Sequence, residues 1–275
     1  MAVDLHVHTT ASDGTDSPEK VVKRALQLGL EAVAITDHDV LEGILPAQRE
    51  AQDRNIDIVP GVELSTVSKN GEIHILGYYM DLEDKRFLEY LTVFRNARVD
   101  RIIEMVNKLI GMGINISQER VFTIAGGGAV GRPHLAEALL ELGVVSTINE
   151  AFEKYIGSGG SAYVPRFKFS PVDAVKLILS AKGVPVLAHP GLDGSVSSIT
   201  ELVAAGLQGI EVYHPSHDLA QVSIYSDLAR IHGLIVTGGS DYHGVQNYDR
   251  SPLGSVTVTY KVVEELKERA NLNRL

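Results

Sequence analysis

Short apolar runs alternate along this chain with capped amphipathic stretches, and that alternation restricts the fold more than any other feature. Runs at residues 3–8, 32–36, 57–64, 74–80, 185–188, 209–213 and 234–237, with a further β-rich piece at 255–260, read as strands. Helical patterns lie between most of them, which predicts a mostly parallel sheet assembled from βα units. Ser17-Pro18-Glu19-Lys20 offers an N-cap with proline at the first helical position, and Gly29 offers the stop. Ser170-Pro171 and Gly183 repeat the same pair of signals. Seven βα-like units argue for a barrel or barrel-like sheet with helices covering its outer face.

One stretch breaks the rhythm. Residues 85–111, 132–143 and 147–156 read as helices with no convincing strand among them, which marks 85–165 as a helical insertion capping the active site. It starts after charged Asp81-Leu82-Glu83-Asp84 and ends near Gly157-Ser158-Gly159-Gly160-Ser161, the most linker-like segment of the chain. Residues 1–84 and 166–275 then form the barrel.

Composition narrows the chemistry. With no cysteine there is no disulfide, thiolate metal site or cysteine nucleophile, so any metal must be held by nitrogen and oxygen. A formal charge of −10 over 275 residues lacks the footprint of a duplex-binding protein, although a local basic pocket can still hold a phosphate. No apolar run approaches the roughly 18 residues of a membrane-spanning helix, and the first residues have neither a basic nor an apolar leader region, so a soluble cytoplasmic protein is expected.

The ten histidines are not scattered. Strand one ends in His6-Val7-His8, followed by Asp13; strand two in Asp37-His38-Asp39; strand three in Glu63; strand five in His189-Pro190; strand six near His214; and strand seven leads to Asp241-Tyr242-His243. In a parallel barrel the carboxyl ends of the strands converge on one face. His6 and His8, two apart on a strand, project to the same side. Taken singly each group has a bland reading, a turn cluster at 37–39 or an exposed strand end at Glu63. Accumulated at one rim they do not, because buried ionisable groups need partners. Imidazole and carboxylate without thiolate suit manganese, zinc or iron(II), and their number exceeds one tetrahedral shell.

These residues carry a resemblance. His6-Val7-His8-Thr9 with Ser12-Asp13-Gly14, Ile35-Thr36-Asp37-His38-Asp39, Pro60-Gly61-Val62-Glu63, Ala188-His189-Pro190 and Gly239-Ser240-Asp241-Tyr242-His243 resemble, in order and spacing, the motifs of the PHP (polymerase and histidinol phosphatase) family. The chain is most similar to the free-standing subgroup acting on nucleoside 3′,5′-bisphosphates and short RNA 5′ ends, and Gly131-Arg132-Pro133-His134 is similar to that subgroup's insertion motif. The resemblance implies a distorted (β/α)7 barrel and two or three divalent ions, manganese first among them with zinc or iron(II) as alternatives. It implies three metal sites: His6, His8, Glu63 and Asp241; Glu63, His74 and His189; Asp13, His38 and His243. Asp37 is then either a carboxylate packed behind a ligand imidazole, fixing its tautomer, or a structural residue. Glu63, Asp241 and His189 would hold the hydroxide that attacks phosphorus.

Gly126-Gly127-Gly128-Ala129-Val130-Gly131 fits G-x-G-x-x-G after apolar 121–125, but it lies in the insertion and no acidic strand end follows, which argues against a dinucleotide site. It reads better as a loop feeding a helix N-terminus where Arg132 meets an anionic oxygen. His134 lines the same cleft, Arg166 and Lys168 are second phosphate contacts, and His217 is favoured over His214 for substrate phosphate or the leaving oxygen. His232 reads as the end of a helix. The expected partner is a small phosphorylated nucleotide or an RNA 5′ end, with no duplex and no membrane. The expected activity is hydrolysis of a phosphomonoester, foremost the 3′-phosphate of a nucleoside 3′,5′-bisphosphate. The rivals are 5′→3′ exoribonuclease action, histidinol-phosphate hydrolysis, and a non-catalytic metal or nucleotide sensor.

Overall fold

The structure is a computed structural model describing residues 2–69, 71–244 and 251–275. The chain divides into two compact units, Met1–Tyr90 with Lys168–Leu275, and Leu91–Phe167.

The first unit is built on one sheet. Its strands are β1 (Ala2–Asp4), β2 (Ala32–Ile35), β3 (Asp57–Ser68), β4 (Gly71–Tyr78), β5 (Val184–Leu187), β6 (Gly209–Tyr213), β7 (Ile235–Gly238) and β8 (Val258–Thr259), in the order β7-β6-β5-β4-β3-β2-β1-β8. Past the ends of β1 and β7, Val7 and Tyr242 form a parallel bridge, and the His8 N–H donates to the Tyr242 carbonyl at 2.8 Å. That pairing brings the two ends of the seven-strand ring together, leaving a nearly closed barrel with two-residue β8 added antiparallel outside β1. Seven strands and a late β-rich piece are what the apolar runs predict.

The strand directions are less uniform than the βα pattern suggests. β1–β2, β2–β3, β5–β6 and β6–β7 are parallel, whereas β4 runs antiparallel to both neighbours. β3 and β4 form a hairpin with Ser68 opposite Gly71, so no crossover helix separates them. Helices α1 (Pro18–Gln27) and α2 (Ile44–Ala51) follow β1 and β2, and α3 (Lys85–Gly111) begins in this unit. The second unit carries α4 (Gln118–Ala125), α5 (Arg132–Glu141) and α6 (Ile148–Ala151). Returning to the barrel, the chain adds α7 (Pro171–Ser180), α8 (Pro190–Asp193), α9 (Ile199–Ala205), α10 (Leu219–His232) and α11 (Tyr260–Asn273). Ser17 and Ser170 cap α1 and α7 as their sequences predict, each hydroxyl accepting from a backbone N–H in the first turn. His232 closes α10 before Gly233, also as predicted.

Apolar side chains of successive strands pack together: Val3 and Leu5 in and just after β1, Ala34 of β2, Val59 of β3, Leu76 and Tyr78 of β4 and Val186 of β5 are buried in one cluster. Tyr78 is fully enclosed and donates its hydroxyl proton to the Leu5 carbonyl at 2.7 Å, which satisfies both groups across the interior. Among the described residues no helix is long and apolar enough to cross a membrane.

The second unit packs α3 against α4, α5 and α6 around Met105, Leu109, Val121, Leu135, Leu139 and Ile156. Ser117 and Thr147 cap α4 and α6. Residues 121–125, read from sequence as an apolar run, lie within α4, and the predicted helix over 147–156 ends in a π-helical turn, Phe152–Ile156. The glycine-rich segment therefore follows a helix rather than a strand, which removes the structural context of a dinucleotide fingerprint.

Asp16 ties the first βα connection to the far end of the ring. Its buried carboxylate meets the Lys20 ammonium at 2.5 Å and Arg24 Nε at 2.7 Å, and accepts from the Tyr242 hydroxyl at 2.6 Å. Burial opposes its ionisation, but the Lys20, Tyr242 and Arg24 contacts bring the carboxyl below its ordinary range. A carboxyl depressed on folding stabilises above its unfolded pKa, about 3.9, and loses that contribution as the pH falls through the folded value. Asp16→Asn should lower unfolding stability at pH 7 by about 1–3 kcal/mol with an unchanged urea m-value. The gap should narrow as the pH is lowered toward 3, read as urea midpoints of both proteins across that range.

Candidate metal centre

The carboxyl rim of the barrel gathers the predicted residues. His6 and His8 extend β1, with Val7 between them facing the opposite side. His38, just after β2, bridges in parallel register to Glu63 on β3. On β4, Leu76 lies directly opposite Glu63, and His74 stands two residues earlier on the same face. Because β4 runs antiparallel, its amino-terminal half reaches the same rim as the carboxyl ends of its neighbours, which is why His74 begins a strand yet joins the cluster. His189 follows β5, His214 follows β6, and Asp241 and His243 follow β7.

Glu63 is the hub. Its Oε1 lies 2.8 Å from His189 Nε2 and 2.9 Å from His74 Nδ1. Its Oε2 lies 3.0 Å from His38 Nδ1, 3.2 Å from His8 Nε2 and 3.4 Å from His6 Nε2. Asp241 Oδ1 adds a second carboxylate 3.3 Å from His8 Nε2 and 3.5 Å from His6 Nε2. Asp13 Oδ1 lies 3.4 Å from His243 Nε2 and 3.7 Å from His8 Nδ1, and the His8 and His243 rings stack with centroids 4.0 Å apart.

The charges respond to this crowding. Burial opposes ionisation of Glu63, yet His38, His74 and His6 hold its carboxyl well below the usual range. Asp13 and Asp241 are held low against burial in the same way, by His243 and His38 for the first and by His6 and His243 for the second. Burial works against a charged His8, but Asp241 and Glu63 raise it to about 9. At His38 burial wins and brings the ring down to about 4.

Even so, the protein alone does not satisfy the cluster. His6 Nε2, both nitrogens of His8, His38 Nδ1, His74 Nε2 and His189 Nδ1 are buried without a hydrogen-bond partner. An unsatisfied buried polar group costs about 1–3 kcal/mol, so so many at one spot need a common acceptor of their lone pairs. A divalent cation fits that role. Four overlapping groups have ligand atoms within 4.8 Å of one another: His8, Asp13, His38 and His243; His6, His8 and Asp241; His6, Glu63 and His189; His38, Glu63 and His74. The donor set of imidazole and carboxylate fits a multinuclear centre.

Of the two roles expected for Asp37, its contacts are structural. Its carboxylate accepts from the Thr9 N–H at 2.8 Å, the Thr9 hydroxyl at 2.8 Å and the Ser12 hydroxyl at 2.6 Å, so it braces the loop that carries Asp13 rather than hydrogen-bonding a ligand ring. Of the two histidines after β6, His217 has both nitrogens engaged by backbone: Nδ1 donates to the Val212 carbonyl at 2.9 Å and Nε2 accepts from the Gly191 N–H at 3.1 Å. His214 Nδ1 accepts from the Ser216 N–H at 3.2 Å, which puts the proton of its neutral ring on Nε2, 3.6 Å from Asp241 Oδ2. His214, not His217, therefore presents an uncommitted nitrogen to the cluster.

Arg132, His134 and Arg166 belong to the second unit. Arg132 is the first residue of α5, its guanidinium 5.5 Å over the Phe152 ring. His134 Nδ1 accepts from the Gly131 N–H at 3.0 Å and so caps the same helix, and Arg166 is half-buried.

Two buried carboxylates beside the histidine cluster escaped the sequence reading. Glu211 on β6 lies 3.0 Å from His6 Nδ1, and Asp4 on β1 accepts from the Ser240 N–H at 2.9 Å and the Gly254 N–H at 2.9 Å. The signal was present in Ile210-Glu211-Val212 and Val3-Asp4-Leu5, where a carboxylate interrupts an apolar strand and must be paired.

Comparison with known proteins agrees with this geometry. The PHP domain model matches residues 4–163. The 5′-3′ exoribonuclease Rnm of Escherichia coli K12 is 37% identical over 250 residues, covering 87% of this chain and 84% of its own length. A 3′,5′-nucleoside bisphosphate phosphatase of Chromobacterium violaceum is 34% identical over 247 residues, covering 88% and 87%. The solved structure of a Bifidobacterium adolescentis protein, predicted to be a metal-dependent phosphoesterase, superposes with a TM-score of 0.90 at 30% identity, covering 97% of this chain and 96% of its own. A histidine and carboxylate rim on this barrel, matched over nearly the whole chain, makes the protein a member of the PHP domain family, a metal-dependent phosphoesterase.

Proposed function

We propose that the protein removes the 3′-phosphate of small nucleoside 3′,5′-bisphosphates. The observation that carries this reading is the Glu63 cluster, whose buried imidazole nitrogens call for several cations at one spot. Phosphomonoester hydrolysis is among the slowest uncatalysed reactions in biology, and a compact array of positive charge is the arrangement it needs. The similar bisphosphate phosphatase of Chromobacterium violaceum supports the choice of substrate.

His6, His8, Glu63 and Asp241 would hold one ion, Glu63, His74 and His189 a second, and Asp13, His38 and His243 a third. Manganese is the proposed metal. When bound, the ions would supply Lewis acidity, activating water and neutralising charge on the phosphoryl oxygens. The chain's own residues do the rest. Glu63, Asp241 and His189 fix the geometry in which water meets phosphorus. The Nε2–H of His214 offers a hydrogen bond to an oxygen of the phosphate. Arg132, His134 and Arg166 are assigned to substrate phosphate, Arg132 by a charge-assisted contact.

A second reading is 5′→3′ exonucleolytic hydrolysis of short RNA, favoured by the identity to Rnm of Escherichia coli. A phosphate-release screen with manganese separates the two. Adenosine 3′,5′-bisphosphate should release phosphate and histidinol phosphate should not, and the reverse result sinks the proposal. Release of mononucleotides from 5′-phosphorylated RNA, with no phosphate from the bisphosphate, would install the second reading.

Three further outcomes are expected. Asp13→Ala and His189→Ala should each lower kcat by more than about 100-fold, beyond the usual cost of losing a partner behind a ligand, with circular dichroism unchanged. Arg132→Ala should raise KM about tenfold with a smaller change in kcat, and unchanged kinetics would remove it from the site. Manganese at 100 times its Kd should stabilise the metal-free protein by about 2.7 kcal/mol in a urea titration, and EDTA should reverse this.

A further inference from the structure

Among the described residues, Glu211 is the carboxylate that touches two of the assigned ligands from behind. It sits in the middle of β6 and is 1% exposed. Its Oε1 and Oε2 lie 3.0 and 3.2 Å from His6 Nδ1. Its Oε2 also accepts from the His189 backbone N–H at 2.8 Å. His6 extends β1 and His189 follows β5, so one side chain reaches a residue on each of two other strands.

Both contacts have a direction. A carboxylate facing Nδ1 requires the proton there, which leaves the Nε2 lone pair of His6 toward Glu63 and Asp241. At His189 the backbone is left-handed, with φ 22° and ψ 58°, in a residue that has a Cβ. Such a conformation costs about 1–3 kcal/mol and persists only where the surroundings impose it. The hydrogen bond from its N–H to Glu211 supplies part of that constraint and aims the ring at Glu63, with Nε2 at 2.8 Å from Oε1. The His6 and His189 rings end nearly parallel, 5.7 Å apart and inclined by 19°.

We infer that Glu211 is a positioning residue for the metal centre, setting the Nδ1–H form of His6 and holding the left-handed backbone of His189, so that rings from two separate strands present nitrogen beside Glu63, one to each of two of the proposed ions. The group His6, Glu63 and His189, with ligand atoms within 4.8 Å, is the one it serves. The inference rests on the metal reading for its consequence, but the orientation itself belongs to the metal-free protein.

The test uses the full chain with Glu211→Leu and Glu211→Gln. Leucine removes both acceptors. Glutamine removes the charge but keeps a carbonyl that accepts at the Oε2 position. Three measurements are made: thermal unfolding in EDTA as a check of the fold, manganese affinity by calorimetry, and the His6 Nδ1–H resonance in 15N-labelled metal-free protein. That proton is retained in both the neutral and the cationic ring held against Glu211, so its slowly exchanging signal reports the contact without any metal. The expected result is a signal present in wild type and Glu211→Gln and lost in Glu211→Leu. Manganese affinity should fall about 10- to 100-fold in Glu211→Leu and only a few-fold in Glu211→Gln. An unchanged signal and affinity in a folded Glu211→Leu protein would overturn the inference. So would equal losses in both variants, since then the charge and not the placement matters. If leucine prevents folding, an absent His6 signal in folded Glu211→Gln overturns it, and a retained signal with few-fold weaker binding supports it. A wild-type protein that shows the signal but binds no manganese would instead sink the metal reading and leave the orientation standing.

Discussion

A carboxylate that is 1% exposed cannot face five imidazoles without dictating what surrounds it. Glu63 is in that position, with rings from β1, β4 and the segments after β2 and β5 within 3.4 Å of its oxygens. Each ring must approach along a line open to the carboxylate, so the strands that carry them must end at the same level. A parallel arrangement supplies this for most of the rim, and the reversal of β4 supplies the remaining direction. The barrel is therefore not a neutral scaffold for this site. The β3–β4 hairpin is what lets two adjacent strands both present a ligand candidate to the same point.

Much of this was legible in the sequence because two periodicities coincide. Alternation within strands places His6 and His8 on one face, and repetition of βα units places successive strand ends on one rim. His74 escaped that logic, since a residue early in a strand belongs at the opposite rim unless the strand is reversed, and the antiparallel course of β4 is set by the hairpin. Glu211 and Asp4 were hidden for another reason. Their roles depend on partners far along the chain, His6 at 205 residues and Ser240 at 236 residues of separation, and no local pattern encodes such a pairing. α4 was missed because 121–125 is too short an apolar run to distinguish a helix from a strand, and the Ser117 cap that settles it lies outside the run.

The formal charge of −10 also acquires a location. Glu63, Asp13, Asp241, Glu211 and Asp4 are acidic residues lying within or against the cluster. The charge of Glu63, Asp13, Asp241 and Glu211 is compensated where it stands, by histidines and, on the proposed reading, by cations, while Asp4 is held by backbone N–H groups and the Ser240 hydroxyl. The surface that remains is what a passing polyanion would meet, and it is less acidic than the total implies.

Three histidines around β6 show how the same ring is given three tasks by what lies behind it. His6 has a carboxylate at Nδ1, so its outward nitrogen carries a lone pair. His214 has a backbone N–H at Nδ1, so its outward nitrogen carries a proton. His217 has a carbonyl at one nitrogen and an N–H at the other, so it is spent as a brace between β6 and the turn at Gly191. A lone-pair donor suits a cation and a proton donor suits a phosphate oxygen, and the two stand with ring centroids 6.4 Å apart. Residue type alone could not separate them, because all three are histidine at or near a strand end. The assignment comes from second partners, and it follows that exchanging a partner, rather than the ring, would change what each histidine does.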